Sequence, residues 1–445
     1  MIRVETELGD ILGESHPHYD VFKGIPYAIP PVGDLRFQAA RPYSKRLDEF
    51  KATQFGAVPI QPPNSLESFF NVTPTHYTQS EDCLTLNIWR PHGTTDSDRL
   101  PVIVYVYGGS FVNGHSALDM YNPEHFVAQH RVIVVTFNYR LGALGFLNWS
   151  EINPAWDYNL GLSDQQCAFQ WVHDHISFFG GNPHCVTAMG QSAGAMSIQA
   201  LLCHPKTHNL IHRAVLLSGA LQWMTYDTSS LKAQEFETLK QTHFPSIPWT
   251  ALSPNHILTL MAHQQVMYGK SKGLEFLYAP IKTSQFTNHF AHLRLPVLIV
   301  QTEAEGDIYI KSEKHTLDPQ QFQKVAERNG LDVPHRSQIQ TASQQRDWIT
   351  THYFHRPIAT LSKALSTYTD TWCATFAWSR PDHRDYASSY HILDVPFWFG
   401  QLEILAAHGL RLRAHDYNVS QDMMQDLTTF AQTGCLPWDA HKIYQ

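Results

Sequence analysis

Residues 185–202, CVTAMGQSAGAMSIQALL, run from a β-branched apolar stretch through a glycine-flanked turn into an apolar stretch rich in small residues. At the centre, Gly190-Gln191-Ser192-Ala193-Gly194 is a G-x-S-x-G pentapeptide. A strand that must turn at once into a helix needs small residues on both sides of the turn, and such a turn lifts the middle serine above the end of the sheet. Small residues make turns in many settings, so the pentapeptide says little alone. Between a strand and a helix it marks Ser192 as a candidate nucleophile, against the plainer reading of a helix-capping serine.

The runs around it have the same character. PVIVYVYGG (101–109) and RVIVVTFNYR (131–140) are near-continuous apolar segments, the pattern of strands covered on both faces. RAVLLSG (213–219) and PVLIVQT (296–302) repeat it, and helical spacing fills stretches between, such as Asp164–Phe179. Alternation of this kind predicts an α/β protein with a central, mostly parallel sheet flanked by helices. Residues 223–293 and 311–356 break the pattern, being polar, weakly periodic and interrupted by prolines. Both are expected to be helical excursions covering the active site within one domain spanning residues 1–445.

Composition agrees and narrows the function. Of 445 residues, 43% are hydrophobic and 16% charged, which excludes a disordered or coiled-coil chain. Lys and Arg total 32 against 40 Asp and Glu, a net charge of −8, so no nucleic-acid partner is expected. No apolar run reaches the roughly 18 residues of a membrane span. The opening MIRVETELGDILG reads as strand and turn rather than as an export leader. Six scattered cysteines suggest a reduced, cytoplasmic setting rather than a disulfide framework. The 27 histidines include no cluster with metal-ligand spacing; on a helix, His173 and His175 would not face one another.

A serine hydroxyl needs a base to take its proton, and in a strand–turn–helix serine site the acid and the histidine follow the serine in the chain. The acid belongs just beyond a later strand, where PVLIVQT is followed by Glu303 and Glu305. The base belongs on a late loop, where SSYHILDVPFWFG (388–400) carries His391. An oxyanion needs backbone N–H donors on a tight turn, and VYVYGGSFVNG (104–114) offers Gly108, Gly109 and Ser110 directly after a strand. A phosphate loop is excluded there by the absence of the glycine–lysine pattern it requires.

At this point the chain resembles the type-B carboxylesterase/cholinesterase family of α/β-hydrolases. The resemblance is carried in order by FKGIPYAIPPVGDLRF (22–37), SEDCLTLNIWRP (80–91), YGGSFVNG (107–114), NYRLGALGF (138–146), NLGLSDQQCAFQWV (159–172), FFGGNP (178–183), GQSAGA (190–195), EGDIY (305–309), HILDVPFWFG (391–400) and FAQTGCLPW (430–438). It implies Ser192 as nucleophile, Glu305 as acid and His391 as base, with Gly109, Ser110 and Ala193 as the oxyanion donors. It also implies a buried hydroxyl, Ser218, supporting the acid, and two structural ion pairs, Arg36 with Glu81 and Arg140 with Asp164. The expected activity is hydrolysis of small carboxylic esters through an acyl-enzyme, with no cofactor or metal. The same residues would serve acyl transfer to a bound alcohol or amine, and a catalytically inactive binding protein is the rival outside enzymes.

The departures carry information too. Cys83 lacks the partner that eukaryotic relatives place in the segment here reading FGAVPIQPP (55–63), which removes the loop that carries the cation-binding tryptophan of cholinesterases. A choline-ester specialist is therefore not expected. Ser110 stands where many members have Gly or Ala, Asp394 replaces a common Glu, and the excursions are short. Ser110, with Phe111 and Trp223 expected near it, should favour small or linear acyl groups.

Overall fold

The computed structural model describes residues 1–46, 48–64, 71–72, 76–287, 294–439 and 441–445. Its strands are β1 (Ile2–Thr6), β2 (Gly9–Ser15), β3 (Tyr19–Pro26), β4 (Asp48–Lys51), β5 (Thr85–Pro91), β6 (Leu100–Val106), β7 (Ile133–Phe137), β8 (Gly181–Gln191), β9 (Arg213–Leu217), β10 (Val297–Thr302), β11 (Thr371–Phe376) and β12 (Lys442–Tyr444). They form one sheet in the order β1-β2-β3-β5-β7-β6-β8-β9-β10-β11-β12, with β4 paired to β2. Pairing is antiparallel from β1 across to β7 and parallel from β7 to β12. The apolar runs supply the middle of this sheet: every residue of β7 is buried, as expected of a strand covered on both faces. The structure therefore has the α/β-hydrolase fold.

Register is what makes the fold useful. Val106 pairs with Gly190, Gln191 with Leu217, and Leu217 with Val300. In parallel strands this aligned register puts four C-terminal ends at one edge of the sheet. The chain segments that leave them, beginning at Tyr107, Ser192, Ser218 and Glu303, start beside one another at the edge where open α/β sheets bind ligands.

The helix expected from Asp164 begins at Leu160, runs to His175 and continues as a 3-10 turn over Ile176–Phe179. Asp164 is buried within it against Arg140, with Nη2 to Oδ1 at 2.7 Å, and Arg36 meets Glu81 at 2.7 Å. Arg36 also donates to the carbonyls of Trp249 and Leu252, tying the first excursion to the framework.

Helices Tyr226–His243 and Pro254–Tyr268 lie in the first excursion; its final residues, 288–293, are outside the described residues. Pro319–Arg328 and Ala342–Ile349 lie in the second, which continues through a π-helical stretch, Thr350–His355, into Arg356–Leu365. Pro254 and Pro319 sit in the first turn of their helices, where the missing N–H has no intrahelical acceptor, so they start helices rather than break them. Among the described residues no helix is long and apolar enough to cross a membrane.

Candidate active site

Ser192 occupies the turn between β8 and helix Ala193–Leu202, with φ 54° and ψ −121°. Its N–H donates to Leu217 O on the neighbouring strand at 2.8 Å, and its carbonyl accepts from Met196 N at 3.0 Å. The turn fits only because Gly194 lacks a side chain: a Cβ there would stand 1.9 Å from Val106 O. The local geometry is that of a nucleophile elbow.

Nine described non-glycine residues have positive φ, and five of them, Ser110, Phe111, Ser192, Ser218 and Ile392, are site residues or their immediate neighbours. Ile392 follows His391 at φ 78°, a conformation a β-branched side chain adopts only when its surroundings impose it. Strain concentrated in this way is characteristic of sites whose geometry is fixed by the fold.

Beyond β10 the two carboxylates separate cleanly. Glu303 is exposed, whereas Glu305 is fully buried at the start of a short 3-10 turn. His391 Nδ1 donates to Glu305 Oε2 at 2.6 Å, while Oε1 accepts from Ser218 Oγ at 2.6 Å and Thr302 N at 2.8 Å. Burial alone would raise the Glu305 pKa. The charge and hydrogen bond of His391, with the donors Ser218 and Thr302, outweigh it and hold the group below the usual carboxylate range. His391 is 6% exposed, and its ring rests against Phe354 and Tyr309, whose ring centroids lie at 4.8 and 5.8 Å from it.

The glycine turn after β6 closes on the Gly109 carbonyl, which accepts from Val112 N and Asn113 N at 3.0 Å. Ser110 follows at φ 54°, and its hydroxyl reaches Gly273 O at 3.4 Å. Ala193 opens its helix, so its N–H points out of the helix end without an intrahelical acceptor. Phe111 is 1% exposed and packs on Phe146 and Phe276, behind the turn. Trp223 packs on Phe286 with the rings tilted by 53° and lines a cavity of about 530 Å³ with Leu221, Asp332, Arg356 and Leu361. Neither Phe111 nor Ser110 is among that cavity's lining residues.

Gln191 and Asp394 also belong to this neighbourhood. Gln191, the last residue of β8, places its carboxamide on His391 Nε2 at 3.0 Å. Asp394 is fully buried one short turn after His391 and accepts from Trp398 Nε1 at 3.1 Å. Gln191 stands at the variable position of the motif, which carries no sequence signal of this contact. Among the described residues no group of His, Cys, Asp and Glu could hold a metal ion.

Comparison with known proteins matches this picture. The carboxylesterase family profile matches residues 2–246. Para-nitrobenzyl esterase of Bacillus subtilis (strain 168) is 32% identical over 97% of this chain and 90% of its own length. Acetylcholinesterase of Danio rerio is 41% identical over 48% of this chain and 35% of its own length. The structure of a thermophilic PNB esterase superposes with a TM-score of 0.89 at 29% identity, covering 99% of this chain and 95% of that one. With its fold, its serine elbow and these relatives in agreement, the chain belongs to the carboxylesterase family and is a serine hydrolase of carboxylic esters.

Proposed function

We propose that the ester is cleaved through a covalent acyl-enzyme formed on Ser192, with His391 as general base and Glu305 as the acid that orients it. The observation that carries this reading is the buried chain from Ser218 through Glu305 to His391, which ends on the imidazole. With Nδ1–H committed to Glu305, the neutral ring offers the Nε2 lone pair to the Ser192 proton as Oγ attacks the ester carbonyl. Glu305, held ionised by its donors, stabilises the imidazolium that results.

Negative charge then develops on the carbonyl oxygen. The N–H groups of Gly109, Ser110 and Ala193 receive it, two on a strained turn and one at a helix start, where little reorganisation is needed. Collapse expels the alcohol, which takes its proton from His391. Water, deprotonated by the same imidazole, releases the acid and frees Ser192.

Residues 1–445 are read as one domain whose two excursions cover this site, a reading supported by one hydrophobic core that runs from Val4 to Tyr444. Para-nitrobenzyl esters are the first candidate substrates, after the relative that bears their name. A reducing, cytoplasmic setting is proposed, supported by six free cysteines. The deciding experiment is Ser192→Ala: turnover of a para-nitrobenzyl ester should fall by several orders of magnitude with folding intact. A fluorophosphonate should label the wild type at Ser192; labelling at another residue, or near-normal turnover of the variant, overturns the assignment.

A further inference from the structure

Residues 273–276 form neither helix nor strand, yet each of the four is held by a side chain from elsewhere in the chain. The Gly273 carbonyl accepts from Ser110 Oγ, on the oxyanion turn, at 3.4 Å. The Leu274 carbonyl accepts at 3.1 Å from Nδ2 of Asn329, which caps helix Pro319–Arg328. Glu275 pairs with Arg328 of that helix, whose Nη1 lies 2.9 and 2.8 Å from its two oxygens. The Phe276 carbonyl accepts from Lys232 Nζ, on helix Tyr226–His243, at 2.7 Å. A segment without a regular backbone partner must satisfy its carbonyls in this way, and here the two cover excursions and the oxyanion turn supply the donors.

Lys232 is buried and takes no part in the chemistry at Ser192. Its ammonium lies over the Tyr268 ring at 5.7 Å, with Glu275, Glu235 and Arg328 as charged neighbours. Burial lowers the Lys232 pKa to about 8 and the two carboxylates oppose that fall, so the group is an ammonium at pH 7. Both ends of the segment it anchors bear on the oxyanion turn. Gly273 takes the Ser110 hydroxyl, and the Phe276 ring stands edge-on to Phe111 at 5.9 Å. Ser110 and Phe111 have φ of 54° and 62°, a conformation that non-glycine residues keep only where their surroundings impose it.

Resting on the assignment of the Ser110 N–H to the oxyanion site, we propose that Lys232 is a positioning residue for ester cleavage. It anchors residues 273–276, and these hold the Ser110–Phe111 turn in the conformation that presents the Ser110 N–H to the developing charge. Without the ammonium, the Phe276 carbonyl loses its donor and the segment can draw back from Ser110 and Phe111. The turn then relaxes toward ordinary backbone angles and its N–H leaves the oxyanion. Ground-state binding of the ester, which does not need that N–H, is spared.

The test compares wild type with Lys232→Met, which keeps the length of the side chain but neither its donor nor its charge. Both are first melted to establish folding. Turnover of para-nitrophenyl acetate is then measured beside inhibition by two probes. An aryl trifluoromethyl ketone takes up Ser192 Oγ at its carbonyl carbon and carries the charge on oxygen; the corresponding carbinol forms no adduct. Removing an oxyanion donor outright costs roughly 10²–10³-fold in kcat, and displacing one costs less. Lys232→Met should therefore lose about ten-fold in kcat and about ten-fold in ketone affinity, with KM and carbinol affinity within about two-fold of wild type. A folded Lys232→Met whose kcat and ketone affinity stay within about two-fold of wild type overturns the role. Equal losses for ketone and carbinol overturn it too, being the mark of a generally distorted site. Should Lys232→Met not fold, Phe276→Leu, which trims the ring against Phe111, takes the same measurements and decides. Failure of both to fold assigns these contacts to architecture and overturns the proposal as well. A wild type that forms no ketone adduct at Ser192 would instead sink the acyl-enzyme mechanism, so the two failures are distinguishable.

Discussion

Ser218 Oγ donates to Glu305 Oε1 at 2.6 Å, on the far side of the carboxylate whose Oε2 receives His391. With Thr302 N as a further donor, a fully buried acid has its acceptor sites filled from the strand ends that flank it. Parallel register is the cause, because it sets the ends of β9 and β10 side by side.

Glu305 and Glu303 should therefore behave oppositely. Glu305→Gln keeps the shape but removes the charge proposed to stabilise the imidazolium, and turnover should fall by orders of magnitude. Glu303 is exposed, so Glu303→Gln should stay within about two-fold of wild type, as surface changes usually do. Steady-state kinetics of the two variants is the check; a reversal would make Glu303 the acid.

Ser218→Ala removes one donor from the buried carboxylate. Hydrogen bonds to charged groups are worth about 1.5–3 kcal/mol, so turnover should drop by roughly ten- to hundred-fold, with a lower melting temperature. Glu305 is held below its ordinary range, so its contribution to stability is present above the unfolded carboxylate value and is lost as pH falls through the lower folded one. The Ser218→Ala variant should accordingly begin acid unfolding at higher pH than wild type, which a fluorescence titration would show. Coincident acid transitions would remove Ser218 from this role.

The cysteines allow a chemical check. Cys83, Cys167 and Cys203 are buried, and all six are free. Thiol titration of the denatured, unreduced protein should count six, and excess reductant should change neither activity nor melting temperature. Loss of either on reduction would reveal a disulfide.

The sequence was most readable where one physical demand dominates. Continuous apolar runs announced β6 to β10, because strands covered on both faces leave no room for polar residues. Gly190 and Gly194 announced the tight turn, since a side chain at Gly194 would strike Val106 and one at Gly190 would strike Gly194. The choice between Glu303 and Glu305 was left open by spacing, because both follow the same strand and only the curl of the chain buries one of them. Phe111 and Trp223 are both expected near Ser110; Phe111 packs on Phe146 and Phe276, whereas Trp223 lines a cavity that the loop after β9 carries it to. Gln191 could not be read at all, because its partner, His391, lies 200 residues away.

Asp394 offers the sharpest pH test. Its carboxyl is fully buried, Oδ2 accepts from Trp398, and Oδ1 has no partner among the described residues. Burial first, and then the neighbouring charge of Glu305, push it up to about 7. A carboxyl raised in the folded state contributes stability that is complete below its unfolded value of 3.8 and is lost as pH rises through about 7. Asp394→Asn stays neutral throughout, so it should match wild type most closely near pH 5 and exceed it in stability at pH 8. The gap should widen by about 3 kcal/mol across that interval, since about 1.4 kcal/mol per pH unit for one proton acts from pH 5 up to about 7. Denaturant midpoints of both proteins at pH 5 and pH 8 measure this directly. A constant gap would mean that Asp394 is already ionised at pH 5, and that its unpartnered oxygen finds a donor which keeps it so.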